Sequence, residues 1–166
     1  LQLREGDLNH SSEEEISPES KSRMSLSASL VTNEVKNAAG TEVEFTRLGS
    51  LPNNPRSTLW AKVGETPALP HRLSIAHSEQ GSGVSLVRRS LFRVDITSQG
   101  YVDTAKYTKS SAYLVLVVPA GNIGTITDVK DALAELTSVV STLGTNTFLY
   151  DGTGNGAVAL LAGAVV

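Results

Sequence analysis

The residues of this sequence whose types and spacing could do chemistry lie between positions 72 and 113. Around Arg89 the chain alternates. Leu86, Ser90, Phe92, Val94 and Ile96 take even positions together with Arg88, while Ser85, Arg89, Arg93, Asp95 and Thr97 take odd ones. A strand sends successive side chains to opposite faces, so the odd set shares one polar surface. By the same count Arg72, Ser74, Ala76 and Ser78 oppose Leu73 and Ile75, and Lys109, Ser111 and Tyr113 oppose Leu114, Leu116 and Val118. Side by side, three such strands would present a polar face with four cations and an aromatic ring. Arginine and lysine neutralise phosphates and release counterions, a tyrosine can stack an unpaired base, and small hydroxyls can hydrogen-bond base edges, so the assortment suits a folded RNA. The competing reading is the solvated side of an amphipathic sheet, which accounts for any one of these residues better than for a cluster across three strands.

Nothing comparable argues for catalysis or for a metal. The chain contains no cysteine, which removes disulfides, thiolate ligands and thiol nucleophiles. His71 and His77 share a strand face, but no nearby acidic pair completes a ligand set, and ordinary polar roles are expected for both. No Gly-x-Ser-x-Gly pattern supports a serine nucleophile. Gly152-Thr153-Gly154-Asn155-Gly156 imitates the spacing of a dinucleotide-binding loop, yet no second strand or acidic ribose partner follows it. Asp151 with Asn155 lacks the further carboxylates of a calcium loop. The expectation is a non-enzyme with no cofactor and no metal. Trp60 is expected in a core or an interface.

The elements that would position the polar face read mostly as strands. Aromatics make up only 5% of 166 residues, with Gly, Ser, Thr, Val and Ala recurring, a composition of strands and tight turns. Alternation over Leu26–Val31 and again at Val43–Thr46, around Asn37-Ala38-Ala39-Gly40, predicts a β-hairpin. Leu51-Pro52-Asn53-Asn54-Pro55 breaks the chain before a short strand over Ser57–Val63. Longer strands are expected over Arg72–Ser78, Val84–Thr97 and Lys106–Val118, joined by Gly81-Ser82-Gly83 and by Gln99-Gly100. After Pro119 the period changes: Val129, Leu133, Leu136, Val140 and Leu143 predict an amphipathic helix, with Thr127 as N-cap and Gly144 as its close. The apolar segment from Ala157 reads as a second helix or a strand.

The net charge of -3 divides unevenly. Residues 1–23 hold six acidic and three basic residues, are rich in Ser and Glu and lack periodicity, so they are expected to be a flexible extension, with the folded domain over 24–166. Between Arg47 and Lys109, nine basic residues face four acidic ones. The longest apolar runs fall well short of the roughly 20 residues a membrane-spanning helix needs, and no membrane partner is expected. One helix about 10 Å wide cannot cover a sheet of this size, and the apolar C-terminal segment also needs burial. Both needs point to a second copy of the chain, most economically across a two-fold axis.

The order of these elements resembles the coat proteins of single-stranded RNA bacteriophages. The likeness rests on Ser25-Leu26-Ser27-Ala28-Ser29-Leu30-Val31, on His71-Arg72-Leu73-Ser74-Ile75-Ala76-His77, on Leu86–Ile96, and on the run from Lys109 into Pro119 ahead of two helices. It covers Met24–Val166; the acidic extension departs from it. The resemblance implies an α+β fold: an N-terminal hairpin, a meandering antiparallel sheet of about five strands over about 25–118, and two C-terminal helices over about 127–166 that pack on a partner subunit's sheet. It further implies a homodimer, an icosahedral shell, and encapsidated single-stranded genomic RNA, with a specific stem-loop as a translational operator. The location implied is the virion, assembled in a bacterial host's cytoplasm. On this reading Arg72, Ser74, Arg89, Arg93, Lys109, Ser111 and Tyr113 face RNA, and Leu133, Leu136, Val140, Leu160 and Leu161 lie in the dimer interface. The alternative from another class is a secreted or surface subunit of pilus or sheath type that binds no RNA.

Overall fold

The computed structural model describes residues 26–163. The acidic extension, the start of the domain at Met24, and the last three residues of the apolar terminus lie outside that range. Six antiparallel strands form one sheet in sequence order: β1 (Ser29–Leu30), β2 (Phe45–Leu51), β3 (Asn54–Lys62), β4 (His71–Gln80), β5 (Val87–Gln99) and β6 (Tyr107–Val118). Helix α1 (Thr127–Ser141), a small hairpin of β7 (Thr142–Gly144) and β8 (Thr147–Phe148), and helix α2 (Asn155–Ala162) follow. This is the expected α+β meander with two C-terminal helices.

Local chemistry explains the connections. Between β2 and β3 the expected break shrinks to a two-residue turn at Pro52-Asn53, with Asn53 in the left-handed region at φ 60°. Ser57 Oγ donates to the Asn54 carbonyl at 2.5 Å and accepts from the Leu51 amide at 2.7 Å, bracing that turn. Both strands therefore run further toward the turn than the sequence pattern suggests. The expected hairpin is present but brief: Leu30 pairs with Phe45, Lys36 bridges to Glu42, and the strand after it continues directly into β2. Between β5 and β6, the Gly100 amide donates to the Lys106 carbonyl at 2.8 Å and closes a tight loop.

Register settles the faces. Trp60, Leu73 and Val94 are successive cross-strand partners, as are Ile75, Phe92 and Leu114, so these residues share one face with Phe45. Leu30, Val43, Phe45, Trp60, Leu73 and Ile75 are buried together, with Val35 and Val94 against them. Burying each of the large ones contributes about 1.5–3 kcal/mol. The Trp60 indole N–H donates to the Ser27 carbonyl at 3.2 Å, so the ring sits in the core with its polar atom satisfied. Leu30, Val35 and Val43 cover this core over β2–β4, and it reaches β5 at Val94. On the β5 side, Phe92 and Ile96 stay 41% and 44% exposed.

The C-terminal arm corrects several expectations. Ile126, not Thr127, occupies the N-cap of α1, with no side-chain cap bond; Thr127 is already helical. The helix ends at Ser141, and Gly144, at φ 88°, belongs to the β7–β8 hairpin instead of closing the helix. Thr145 and Asn146, at φ 46° and 60°, form the two-residue turn of that hairpin, a geometry matched to strand twist. The apolar segment is a helix, and Gly163 closes it in the left-handed region at φ 63°. Among the described residues no helix is long and apolar enough to cross a membrane.

Candidate nucleic-acid face and self-association surfaces

The cations singled out in the sequence fall on one sheet face, opposite the core. Ser74, Arg93 and Tyr113 form one cross-strand row; Arg72, Asp95 and Ser111 form the next; Thr97 pairs with Lys109, and Ser78 with Arg89 and then Val117. The six residues other than Ser74 reach the surface to differing degrees. Ser74 shares the face but is only 7% exposed, so its hydroxyl is not presented at the surface as the sequence pattern suggests.

The electrostatics are more balanced than the sequence suggests. Arg93 Nε contacts Asp95 Oδ2 at 2.7 Å, Lys109 Nζ contacts the same oxygen at 3.3 Å, and Ser111 Oγ donates to Oδ1 at 2.5 Å. Burial pushes the Asp95 carboxyl up, but the hydrogen bonds from Ser111, Arg93 and Lys109 outweigh it and hold the group below its ordinary value. The Arg93 guanidinium lies over the Tyr113 ring, 4.9 Å from its centroid. Arg72 is paired with Glu65 at 2.5 Å. Arg89 has no ion pair among the described residues and is exposed. The face also carries Leu91, Val115 and Val117, which the expected polar set omitted; Val115 and Val117 are exposed. Asp95 was visible in the sequence as the residue two beyond Arg93, and i to i+2 spacing on a strand is the signal that places both on one face.

The opposite face carries its own ion-pair group at the edge of the apolar surface. Glu79 binds Arg56 at 2.8 Å and Arg88 at 3.0 Å, which pushes its carboxyl down to about 2. This explains how Arg88 is tolerated among apolar even positions. His71 packs edge-on against Phe45 with ring centroids 5.2 Å apart, and burial lowers its pKa. His77 hydrogen-bonds Ser90 at 2.8 Å, so the two histidines have separate local roles.

The arm α1–β7–β8–α2 has a polar and an apolar side, but its apolar side meets little of its own sheet. No residue of either helix belongs to the core cluster. Of the five expected interface residues, Leu133 and Val140 are half-buried, whereas Leu136, Leu160 and Leu161 are exposed, the last two at 73% and 81%. Phe148, Leu149 and Tyr150 add apolar surface that the sequence reading did not single out. The glycine-rich segment now has a packing role. A Cβ on Gly154 would collide with the Val140 carbonyl oxygen and stand 2.7 Å from the Ser141 carbonyl carbon, and one on Gly156 would meet the Val139 carbonyl. These glycines let α2 cross the end of α1 at backbone contact, which is a different use from cradling a phosphate.

Fold and surfaces together define a class: a six-stranded antiparallel meander with one polar, cation-bearing face, one partly covered apolar face, and a two-helix arm standing off its own core. No family model matches the sequence, and no curated protein matches it. Solved structures similar to it include the virus-like particle of bacteriophage ESE058, at 15% identity over 75% of this chain and 88% of that one, with a TM-score of 0.49. Another is the virus-like particle of bacteriophage AVE015, at 16% identity over 91% of this chain and 96% of that one, with a TM-score of 0.48.

Proposed function

We propose that this chain is a capsid subunit that forms two-fold dimers, assembles into an icosahedral shell and encloses single-stranded RNA. The observation that carries the reading is a matched pair of unmet needs. The sheet leaves Phe92 and Ile96 exposed on its apolar face, and the arm leaves Leu136, Leu160 and Leu161 exposed beside it. A second copy meets both needs at once, because a two-fold axis lets each arm cover the other sheet. Strand β6 supports the same arrangement: it is a twelve-residue edge strand with Val115 and Val117 exposed, and an edge of that length is a template for pairing.

RNA is assigned to the polar face. Arg89 and the free edge of Arg93 supply phosphate contacts, with Tyr113 able to stack an unpaired base. A stem-loop that also acts as a translational operator would be read there, since the face combines charge, an aromatic and hydroxyls. Ser90 and His77 lie within hydrogen-bond reach at 2.8 Å, but among the described residues no carboxylate hydrogen-bonds the His77 ring to orient it as a base.

The test is the full chain expressed and purified. Electron microscopy is expected to show large uniform particles, and the particles are expected to carry nuclease-sensitive RNA. Arg89→Glu combined with Arg93→Glu should lower the RNA content and flatten the salt dependence of binding by about 1.4 in logarithmic slope, about 0.7 per phosphate contact on a single strand. Dimers should persist in that variant. Soluble monomers free of nucleic acid would overturn the proposal.

A further inference from the structure

We infer that Asp95 is a positioning residue of the polar face: it withholds Lys109 from phosphate and holds Arg93 over Tyr113. The inference rests on the RNA reading above and extends it to a residue that reading does not use. Asp95 is the one acidic residue in the four cross-strand rows that carry the cations. Its side chain is 15% exposed and receives Arg93, Lys109 and Ser111 together. A carboxylate with that many donors is an anion already bound by the face, tethered where an RNA phosphate would otherwise sit. Lys109 is 52% exposed and Asp95 is its ion partner, so incoming phosphate must displace a tethered competitor to engage it.

Arg93 differs from Lys109 in what Asp95 leaves free. The contact to Asp95 uses Nε, and the guanidinium carbon lies over the Tyr113 ring, 4.9 Å from its centroid. Its terminal nitrogens make no hydrogen bond among the described residues. An arginine fixed in this way keeps a two-pronged donor edge for one phosphate or base edge at little further cost in side-chain entropy. The centre of the face is thereby shaped for one oriented contact instead of diffuse attraction, and the unpaired Arg89 is left as the general phosphate site. Substrate choice follows: RNA that places an unpaired base on the Tyr113–Arg93 surface gains over RNA that offers phosphates alone.

The experiment measures equilibrium binding of an oligouridylate to the full chain across a salt series, for wild type, Asp95→Asn, Lys109→Gln and the double variant. Lys109→Gln alone should leave the logarithmic salt slope unchanged. Asp95→Asn should steepen it by about 0.7, so that its affinity relative to wild type falls about 2.6-fold over a fourfold rise in salt. Adding Lys109→Gln to Asp95→Asn should return the slope to the wild-type value. A role for Asp95 in the fold alone would shift the urea midpoint without moving any slope, and would overturn the inference. So would a full 0.7 loss of slope from Lys109→Gln in the wild-type background, a comparison that needs no Asp95 variant to fold. If neither wild type nor Asp95→Asn binds the oligomer, the RNA reading falls first and this inference falls with it. If wild type binds and the Arg89/Arg93 reversal weakens it, but Asp95→Asn changes no slope, only this inference falls.

Discussion

Replacing Leu160 and Leu161 together by alanine tests where the arm docks. In the single chain these side chains are 73% and 81% exposed, so truncating them removes few contacts within the subunit. Fully burying a leucine contributes about 1.5–3 kcal/mol, and most of that would come from the second copy at these positions, giving about 1–2 kcal/mol for each after truncation. Two residues on two chains then weaken a two-fold dimer by about 4–8 kcal/mol, which is about three to six powers of ten in its dissociation constant. Alanine is the best helix former, so α2 itself should not suffer. Sedimentation equilibrium over a dilution series reads the dissociation constant directly, and the thermal midpoint should become strongly dependent on protein concentration in the variant. A dissociation constant within about threefold of wild type, a change of under about 0.7 kcal/mol, would refute the argument. It would mean that the exposed leucines are solvated in the assembly and that the apolar sheet face is covered by something else.

Two further outcomes follow from the packing. Glu79 is a depressed carboxyl, so its contribution to stability is complete above the unfolded value and is lost as pH falls through the folded value of about 2. Urea midpoints taken from about pH 5 down to about pH 2 should therefore fall less steeply for Glu79→Gln than for wild type. Gly154→Ala should force α2 away from the backbone of α1, because the new Cβ collides with the Val140 carbonyl. Particle yield on a sizing column should drop while the sheet, followed by near-ultraviolet circular dichroism of Trp60, stays folded.

The sheet was legible because one rule, alternation, governs both its faces. Phe92 and Val94 could be assigned to one side and Arg89 and Arg93 to the other without knowing any partner strand, and register then confirmed the rows. What alternation cannot show is pairing between side chains. Asp95 and Glu65 neutralise part of the face, and Glu65 does so from the loop before β4, where no period applies. The arm was harder for a different reason. Thr127 is a better cap residue than Ile126 by type, yet the chain entering α1 places Ile126 at that position, so tertiary geometry overrode propensity. The β7–β8 hairpin has strands of three and two residues, too short for any pattern, and its turn is formed by Thr145-Asn146 without glycine at either central position.

The arm's separation from its own sheet has a local cause. The chain leaving β6 turns at Pro119, and the Gly121 amide donates to the Leu86 carbonyl at 2.9 Å. A Cβ on Gly121 would stand 2.8 Å from the Leu86 amide nitrogen and 2.9 Å from the Val84 carbonyl carbon, so the linker is pressed against the 3-10 turn Gly83–Ser85 that precedes β5. This close approach fixes where α1 begins, at the end of β6, and it leaves the arm in contact with its own sheet chiefly at that strand. Folding back over Phe92 and Ile96 would require breaking the Gly121 contact and reorganising Pro119–Ile126, which opposes closure within one chain. Association meets no such obstacle, because a second copy brings an arm whose linker is already seated. A fixed joint and two exposed apolar surfaces therefore favour exchange between subunits over self-coverage, and they leave the polar face, on the other side of the sheet, free for RNA in the proposed dimer.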